Sequence, residues 1–300
     1  LEIVRGIRKK CGPEFVIGYL LVCDEFLPGG ITYKHSIPFA QALEQEGADY
    51  IDLAVGTYET FASTDRSPGQ TKYTRFGEWE HTKVFKEEVK SPIAHRTHGD
   101  YDPFSWEKHL EAGHADFVQV AKPLLCDPEL FNKILKGNYD VIRTCTCCSL
   151  CVCVGVIGHQ LVECALNPET GRDREYAIKR APKSKRVLVV GGGPGGLEAA
   201  RVAALRGHHV TLMEKASDLG GNLKYISLCA DNEPYGAFLD WEERQCKKAG
   251  VTFELDKEVT DDKVLEADAG VVVLATGAPN RIVPNIPGSD KAHVVRPEDV

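Results

Sequence analysis

Three hundred residues with a formal net charge of -8, 43% hydrophobic and 27% charged side chains describe a chain able to bury one large core or two ordinary ones. The acidic balance argues against nucleic acid or an anionic membrane surface as the main partner, and no stretch approaches the roughly 18 apolar residues of a membrane span. The chain opens on Leu1 rather than Met, so the lack of a leader peptide carries little weight.

Leu1, Val4 and Ile7 share one helical face, and Cys11-Gly12-Pro13 ends that helix. F-V-I-G-Y-L-L-V (15–22) is a continuous apolar run of strand length, the mark of a strand buried on both faces in a parallel sheet. A loop, C-D-E-F-L-P-G-G-I, leads to Ser36-Ile37-Pro38, which predicts a helix start with Pro in its first turn; Ile37, Ala40 and Leu43 line its inner face. The cycle then repeats. A strand over 50–55 is followed by a long loop and a short helix near 82–87. A strand over 92–96 precedes a helix around Trp106 and Leu110, and a strand over 116–120 precedes a helix over 128–135.

Four strand-helix units after a leading helix predict an α/β fold with right-handed crossovers, either an open doubly wound sheet or a barrel. The long or polar loops follow strands, which suits a TIM barrel, although an open sheet has similar loops. A barrel needs eight strands, and four leave two edges unpaired. The expectation is therefore a fragment beginning in the helix before the fifth barrel strand.

Of the eleven cysteines, six (Cys145, Cys147, Cys148, Cys151, Cys153 and Cys164) fall between positions 145 and 164. Clustering of this kind favours a metal and a reducing compartment, the cytoplasm, over a disulfide scaffold. Cys145, Cys148 and Cys151 form C-x2-C-x2-C with Cys164 beyond, the pattern that holds a cubane [4Fe-4S] cluster; a four-thiolate zinc site is the alternative. Cys147 and Cys153 are read as buried free thiols, and Cys11, Cys23, Cys126, Cys229 and Cys246 as small hydrophobes.

After the basic linker A-P-K-S-K-R comes the strand V-L-V-V, then Gly191, Gly193 and Gly196 in G-x-G-x-x-G with Pro194 between them, then a helix. A second strand, 208–213, ends at Glu214 and Lys215. In a dinucleotide turn the glycines give a tight bend, close approach of pyrophosphate and close helix-strand packing, and the helix N-terminus faces the phosphates. Glu214 stands where a carboxylate takes ribose hydroxyls and disfavours a 2′-phosphate. A second glycine turn, D-L-G-G-N, supplies Gly221 and Asn222, and G-V-V-V-L-A-T-G runs into Thr276-Gly277. Both resemble the FAD half of flavoproteins with two dinucleotide domains.

D-E-F-L-P-G-G (24–30), A-V-G-T-Y-E-T (54–60), K-P-L-L-C-D-P (122–128), the cysteine cluster with C-A-L-N-P (164–168), and G-G-G-P-G-G-L-E-A-A occur in this order over nearly the whole chain. In this the chain resembles the iron-sulfur flavoenzymes that join an old-yellow-enzyme barrel to an FAD/NAD module. These are 2,4-dienoyl-CoA reductase, 2-enoate reductase, trimethylamine dehydrogenase and bile-acid or steroid enone reductases. T-Y-E-T and the R-S-P-G loop look closest to the enoate and bile-acid branch. The resemblance implies the C-terminal half of an FMN-binding barrel over 1–142, an iron-sulfur segment and linker over 143–180, and a Rossmann-like FAD domain over 181–300, cut before the NAD(P) domain.

It further implies an ene-reductase, with electrons passing from NAD(P)H through FAD and the cluster to FMN and on to the C=C bond of an unsaturated carboxylate, thioester or enone. The implied partner is that small substrate, and self-association is compatible. Two departures stand out. Leu20 replaces an Arg that faces the flavin in the family, and Ala121-Lys122 replaces Gly-Arg, so that Lys122 meets a phosphate only as a point charge. Gly99, Ala121 and Lys122 are the expected FMN contacts, and Tyr58 is the candidate proton donor unless that acid lies in the barrel half not contained here. Two readings compete: an amine dehydrogenase handing electrons to a flavoprotein partner, and a zinc-stapled nucleotide-binding protein without redox function. Half a barrel without its nicotinamide domain is expected not to turn over alone.

Overall fold

A computed structural model describes residues 1–57, 59, 79–97, 99–230, 232–278, 287, 288, 291 and 294. The chain divides into two compact units, residues 1–137 with 147–171 and residues 138–146 with 172–300. Each is α/β and built on a parallel sheet. Among the described residues no helix is long and apolar enough to cross a membrane.

The first unit runs α1 (Glu2–Cys11), β1 (Gly18–Asp24), α2 (Tyr33–Gln45), β2 (Tyr50–Val55), α3 (Trp79–Glu88), β3 (Ile93–Arg96), α4 (Pro103–Glu111), β4 (Phe117–Gln119), α5 (Lys122–Cys126) and α6 (Leu130–Leu135). Its strands lie in chain order, β1-β2-β3-β4, all parallel. Strand alternation divides the sheet into two faces. Leu21, Cys23, Ile51, Leu53, Val55 and Ile93 pack with Ala40 of α2, with Phe85 of α3 and with Val89 just beyond it into the core. The opposite face carries Leu20, Asp52, Ala94 and Phe117 in one row and Arg96 beside Gln119 in the next. There Leu20 stays 52% and Phe117 38% exposed.

Helix α2 begins three residues before the expected start, and Pro38 lies inside it. Thr32 organises the first turn: its N–H donates to His35 Nδ1 (3.2 Å) and its carbonyl accepts from Ser36 N–H (3.0 Å). A cap at Thr32 outweighs the positional preference of proline. Ser36 is thereby free to tie α2 to the end of β1, its hydroxyl donating to the Cys23 carbonyl (2.8 Å). The first strand starts three residues later than the apolar run suggests, leaving Phe15 and Val16 exposed before it. The short helix α5 was not anticipated.

The second unit runs β5 (Arg186–Val190), α7 (Pro194–Leu205), β6 (His209–Met213), α8 (Asn222–Ser227), α9 (Glu233–Lys248), β7 (Thr252–Glu254), α10 (Asp261–Glu266) and β8 (Val271–Leu274). Its parallel sheet has the order β7-β6-β5-β8. Strand order therefore reverses at β5, and the crevice at the C-terminal ends of β5 and β8 is the topological switch point where ligands bind in such sheets. Val187, Val189, Leu197, Ala200, Val210, Leu212 and Cys246 form the core, each large side chain contributing on the order of 1.5–3 kcal/mol by leaving water. Helix α9 escaped the sequence reading, although Pro234 in its first turn and the buried Phe238, Trp241 and Cys246 mark its start and inner face.

Candidate dinucleotide turn and thiol loop

In the second unit the glycine turn occupies the switch point. Gly191 holds φ +109° between β5 and α7, and its N–H donates to the Met213 carbonyl (2.8 Å). A Cβ there would lie 2.3 Å from the Ala275 carbonyl oxygen, and one on Gly196 would lie 1.9 Å from that of Gly191. Both positions require glycine for the close approach of helix to sheet. Gly193 and Gly195 differ: a Cβ on either meets nothing within 4 Å. The open bed over these two residues, with Pro194 at the first helical position and the N-terminus of α7 facing it, fits a pyrophosphate.

The flanking residues converge on this turn. Glu214 follows β6, and its two carboxylate oxygens accept from Gly192 N–H (2.6 Å) and Ala216 N–H (2.9 Å), while Lys215 beside it is exposed. A carboxylate has about four acceptor sites, so two remain for ribose hydroxyls. The second glycine turn packs on the first: Gly220 N–H donates to the Gly192 carbonyl (2.8 Å), and a Cβ on Gly221 would lie 3.2 Å from Gly193 Cα. Asn222 opens α8 and is exposed. After β8, Ala275 N–H bonds the Val190 carbonyl (2.8 Å), and Thr276 and Gly277 lie exposed beyond it. His208 Nδ1 accepts from Lys185 N–H, a structural role.

In the first unit the loop 147–151 bends through left-handed backbone at Cys147 (φ +58°) and Ser149 (φ +55°). Gly99 is buried with φ +82°, and its carbonyl accepts from the Cys147 thiol (3.9 Å). Ala121 is exposed and precedes α5, whose first residue, Lys122, reaches Ser149 Oγ (3.5 Å). Burial raises the pKa of Cys151, Lys122 lowers it, and Cys148 and Cys164 raise it. Lys122, Cys148 and Cys164 thus all bear on the Cys151 thiol. Cys145 belongs to the second unit. The donor chemistry fits an iron-sulfur centre, yet among the described residues no group of three or more His, Cys, Asp or Glu is gathered as a metal site.

Two readings of single cysteines need correction. Cys153 is exposed rather than buried, because it follows Cys151 on the outer side of a π-helical turn over Val152–Ile157, and Cys11 and Cys229 are exposed at helix ends. Tyr58, the candidate proton donor, lies outside the described residues. Sequence reasoning also missed a polar trio on the sheet face opposite the core. There Arg96 lies 3.4 Å from buried Asp52 and donates from Nε to Gln119 Oε1 (2.8 Å). Positions 52, 96 and 119 carried that signal.

Residues 1–140 match the family described as NADH:flavin oxidoreductase / NADH oxidase, and residues 169–226 and 185–299 match pyridine nucleotide-disulphide oxidoreductase. A cinnamate reductase of Clostridium sporogenes is 34% identical over 97% of this chain and 45% of its own length. An NADH oxidase of Thermoanaerobacter brockii is 34% identical over 97% of this chain and 44% of its own. A solved 2-naphthoyl-CoA reductase in complex with 2-naphthoyl-CoA superposes with a TM-score of 0.89 at 31% identity, covering 99% of this chain and 45% of that one. The chain thus spans less than half the length of these relatives. Carrying the flavin oxidoreductase domain first and the pyridine-nucleotide domain second, it belongs to the family of flavoenzymes that join the two, and the enoate-reductase branch of that family fits it.

Proposed function

We propose that the chain is part of an ene-reductase in which electrons from NAD(P)H pass through FAD and a [4Fe-4S] cluster to FMN and reduce the C=C bond of an α,β-unsaturated carboxylate, thioester or enone. The observation that carries this reading is the open bed over Gly193 and Gly195, in a chain whose first 140 residues match a flavin oxidoreductase family. Cinnamate and 2-naphthoyl-CoA, named for two relatives, are both unsaturated carbonyl compounds, which supports the substrate class.

In this reading residues 1–142 form the C-terminal half of a barrel, 143–180 the iron-sulfur segment and linker, and 181–300 the FAD domain. Strands in simple chain order with helical cover on one face favour a barrel over a doubly wound sheet, which reverses its order. Gly191, Gly193, Pro194 and Gly196 bind the FAD pyrophosphate, Glu214 and Lys215 its ribose side, and Gly221, Asn222, Thr276 and Gly277 close the pocket. Cys148, Cys151 and Cys164 hold the cluster, with Cys145 assigned as fourth ligand on its spacing. Gly99, Ala121 and Lys122 meet FMN, and Tyr58 delivers the proton.

Anaerobic assay of the full-length protein tests the reading. NAD(P)H oxidation should depend on an enoate such as cinnamate, with bound flavin visible. Amine turnover without nicotinamide dependence, or a protein free of flavin, overturns it.

A further inference from the structure

The second unit holds a polar clamp that the dinucleotide turn does not use. Trp241 of α9 is 5% exposed and stacks with two guanidinium groups, that of Arg143 at 4.6 Å and that of Arg201 at 5.5 Å from the ring centroid. Its indole N–H donates to the Val141 carbonyl (3.1 Å). At the end of the same helix Lys248 pairs with Asp140 (2.5 Å). Arg201 is held by both carboxylate oxygens of Glu198, each at 2.7 Å. Glu198 and Arg201 belong to α7, the helix that starts at the glycine turn.

A buried tryptophan between two helices is ordinary core packing. That does not account for the segment 138–146, a 3-10 turn over Tyr139–Val141 followed by chain without regular structure, which meets α9 through three polar or cation-π ties at residues 140, 141 and 143. Cation-π stacking of desolvated guanidinium groups and a buried indole hydrogen bond fix orientation as well as position. The segment's next residues are Thr144 and Cys145. We infer that Trp241 is a positioning residue for Cys145: stacked with Arg143 and, through Arg201, with α7, it docks the segment bearing that thiol onto α9.

This role rests on the proposed cluster ligation by Cys145. The test uses the full-length protein, reconstituted anaerobically with iron and sulfide, as wild type, Trp241→Leu and Arg143→Gln. Three readouts are taken: FAD content, the cluster's iron content and EPR spectrum, and backbone hydrogen exchange. In both variants exchange over 139–146 should accelerate about tenfold or more while the strands of the second sheet keep wild-type protection. Iron content should fall at least about twofold, or the EPR spectrum should change, with FAD retained. Arg143→Gln leaves α9 intact, so it decides the matter if Trp241→Leu fails to fold. Wild-type exchange and EPR in Arg143→Gln overturn the positioning role alone. A wild-type protein that takes up no iron overturns the cluster reading, and this role with it.

Discussion

The carboxylate of Glu214 accepts a hydrogen bond from the backbone N–H of Gly192 at 2.6 Å, so the acidic residue just after β6 braces the turn that follows β5. One side chain therefore shapes the glycine turn and, in the proposed function, meets the ribose. Replacing it removes a charged acceptor from both. Glu214→Gln should weaken FAD binding about tenfold to a hundredfold, the range expected for loss of a charge-assisted hydrogen bond, measured by flavin fluorescence titration of the apoprotein. Unchanged affinity would remove Glu214 from the site.

The glycines of the turn separate into two classes. At Gly196 a methyl group would collide with the Gly191 carbonyl, whereas at Gly193 it enters open space. Gly196→Ala should lower stability by about 1–3 kcal/mol in denaturant unfolding, the usual cost of overpacking. Gly193→Ala should leave the unfolding midpoint of the apoprotein unchanged and lose most FAD affinity. The reverse pattern would place the pyrophosphate elsewhere.

The cysteines separate in the same way. Cys148→Ser, Cys151→Ser and Cys164→Ser should each abolish or strongly reduce bound iron after anaerobic reconstitution, whereas Cys153→Ser, at an exposed thiol outside the proposed ligand set, should keep the wild-type iron content. Iron assays on the four variants check this.

Glu242 is 0% exposed, and burial, followed by the nearby Glu198 carboxylate, pushes its pKa up to about 8, with Arg201 and Arg143 pulling it down. Between the ordinary carboxylate range and about 8 the folded chain holds a proton that the unfolded chain has released. This group's contribution to stability therefore falls as pH rises through that window. Glu242→Gln carries no such proton, so its urea midpoint should decline less than that of the wild type between pH 5 and pH 8, about the span of the window. Parallel curves for the two proteins would contradict the assignment.

Much of this architecture was legible in residue order. The apolar runs at 50–55 and 187–190, the Gly-x-Gly-x-x-Gly turn and Glu214 are local signals, and the structure sets each in register. What escaped depends on competition or on tertiary placement. Thr32 and Pro38 both signal a helix start, and the threonine cap prevails because its carbonyl and N–H close the first turn. Cys147 and Cys153 look alike in sequence, but one is buried beneath Gly99 and the other exposed on a π-helical turn. The pairing of Arg96 with Asp52 and Gln119 needed the strand register, which no single strand contains.

The central claim is that thiolates at 145, 148, 151 and 164 would hold a [4Fe-4S] cluster able to carry electrons between flavins. Its most direct test is EPR of the anaerobic full-length protein after addition of NADH. The account predicts about four irons per chain and a reduced-cluster signal that appears with NADH and is lost when an enoate is added. An EPR-silent protein holding zinc in place of iron would contradict it.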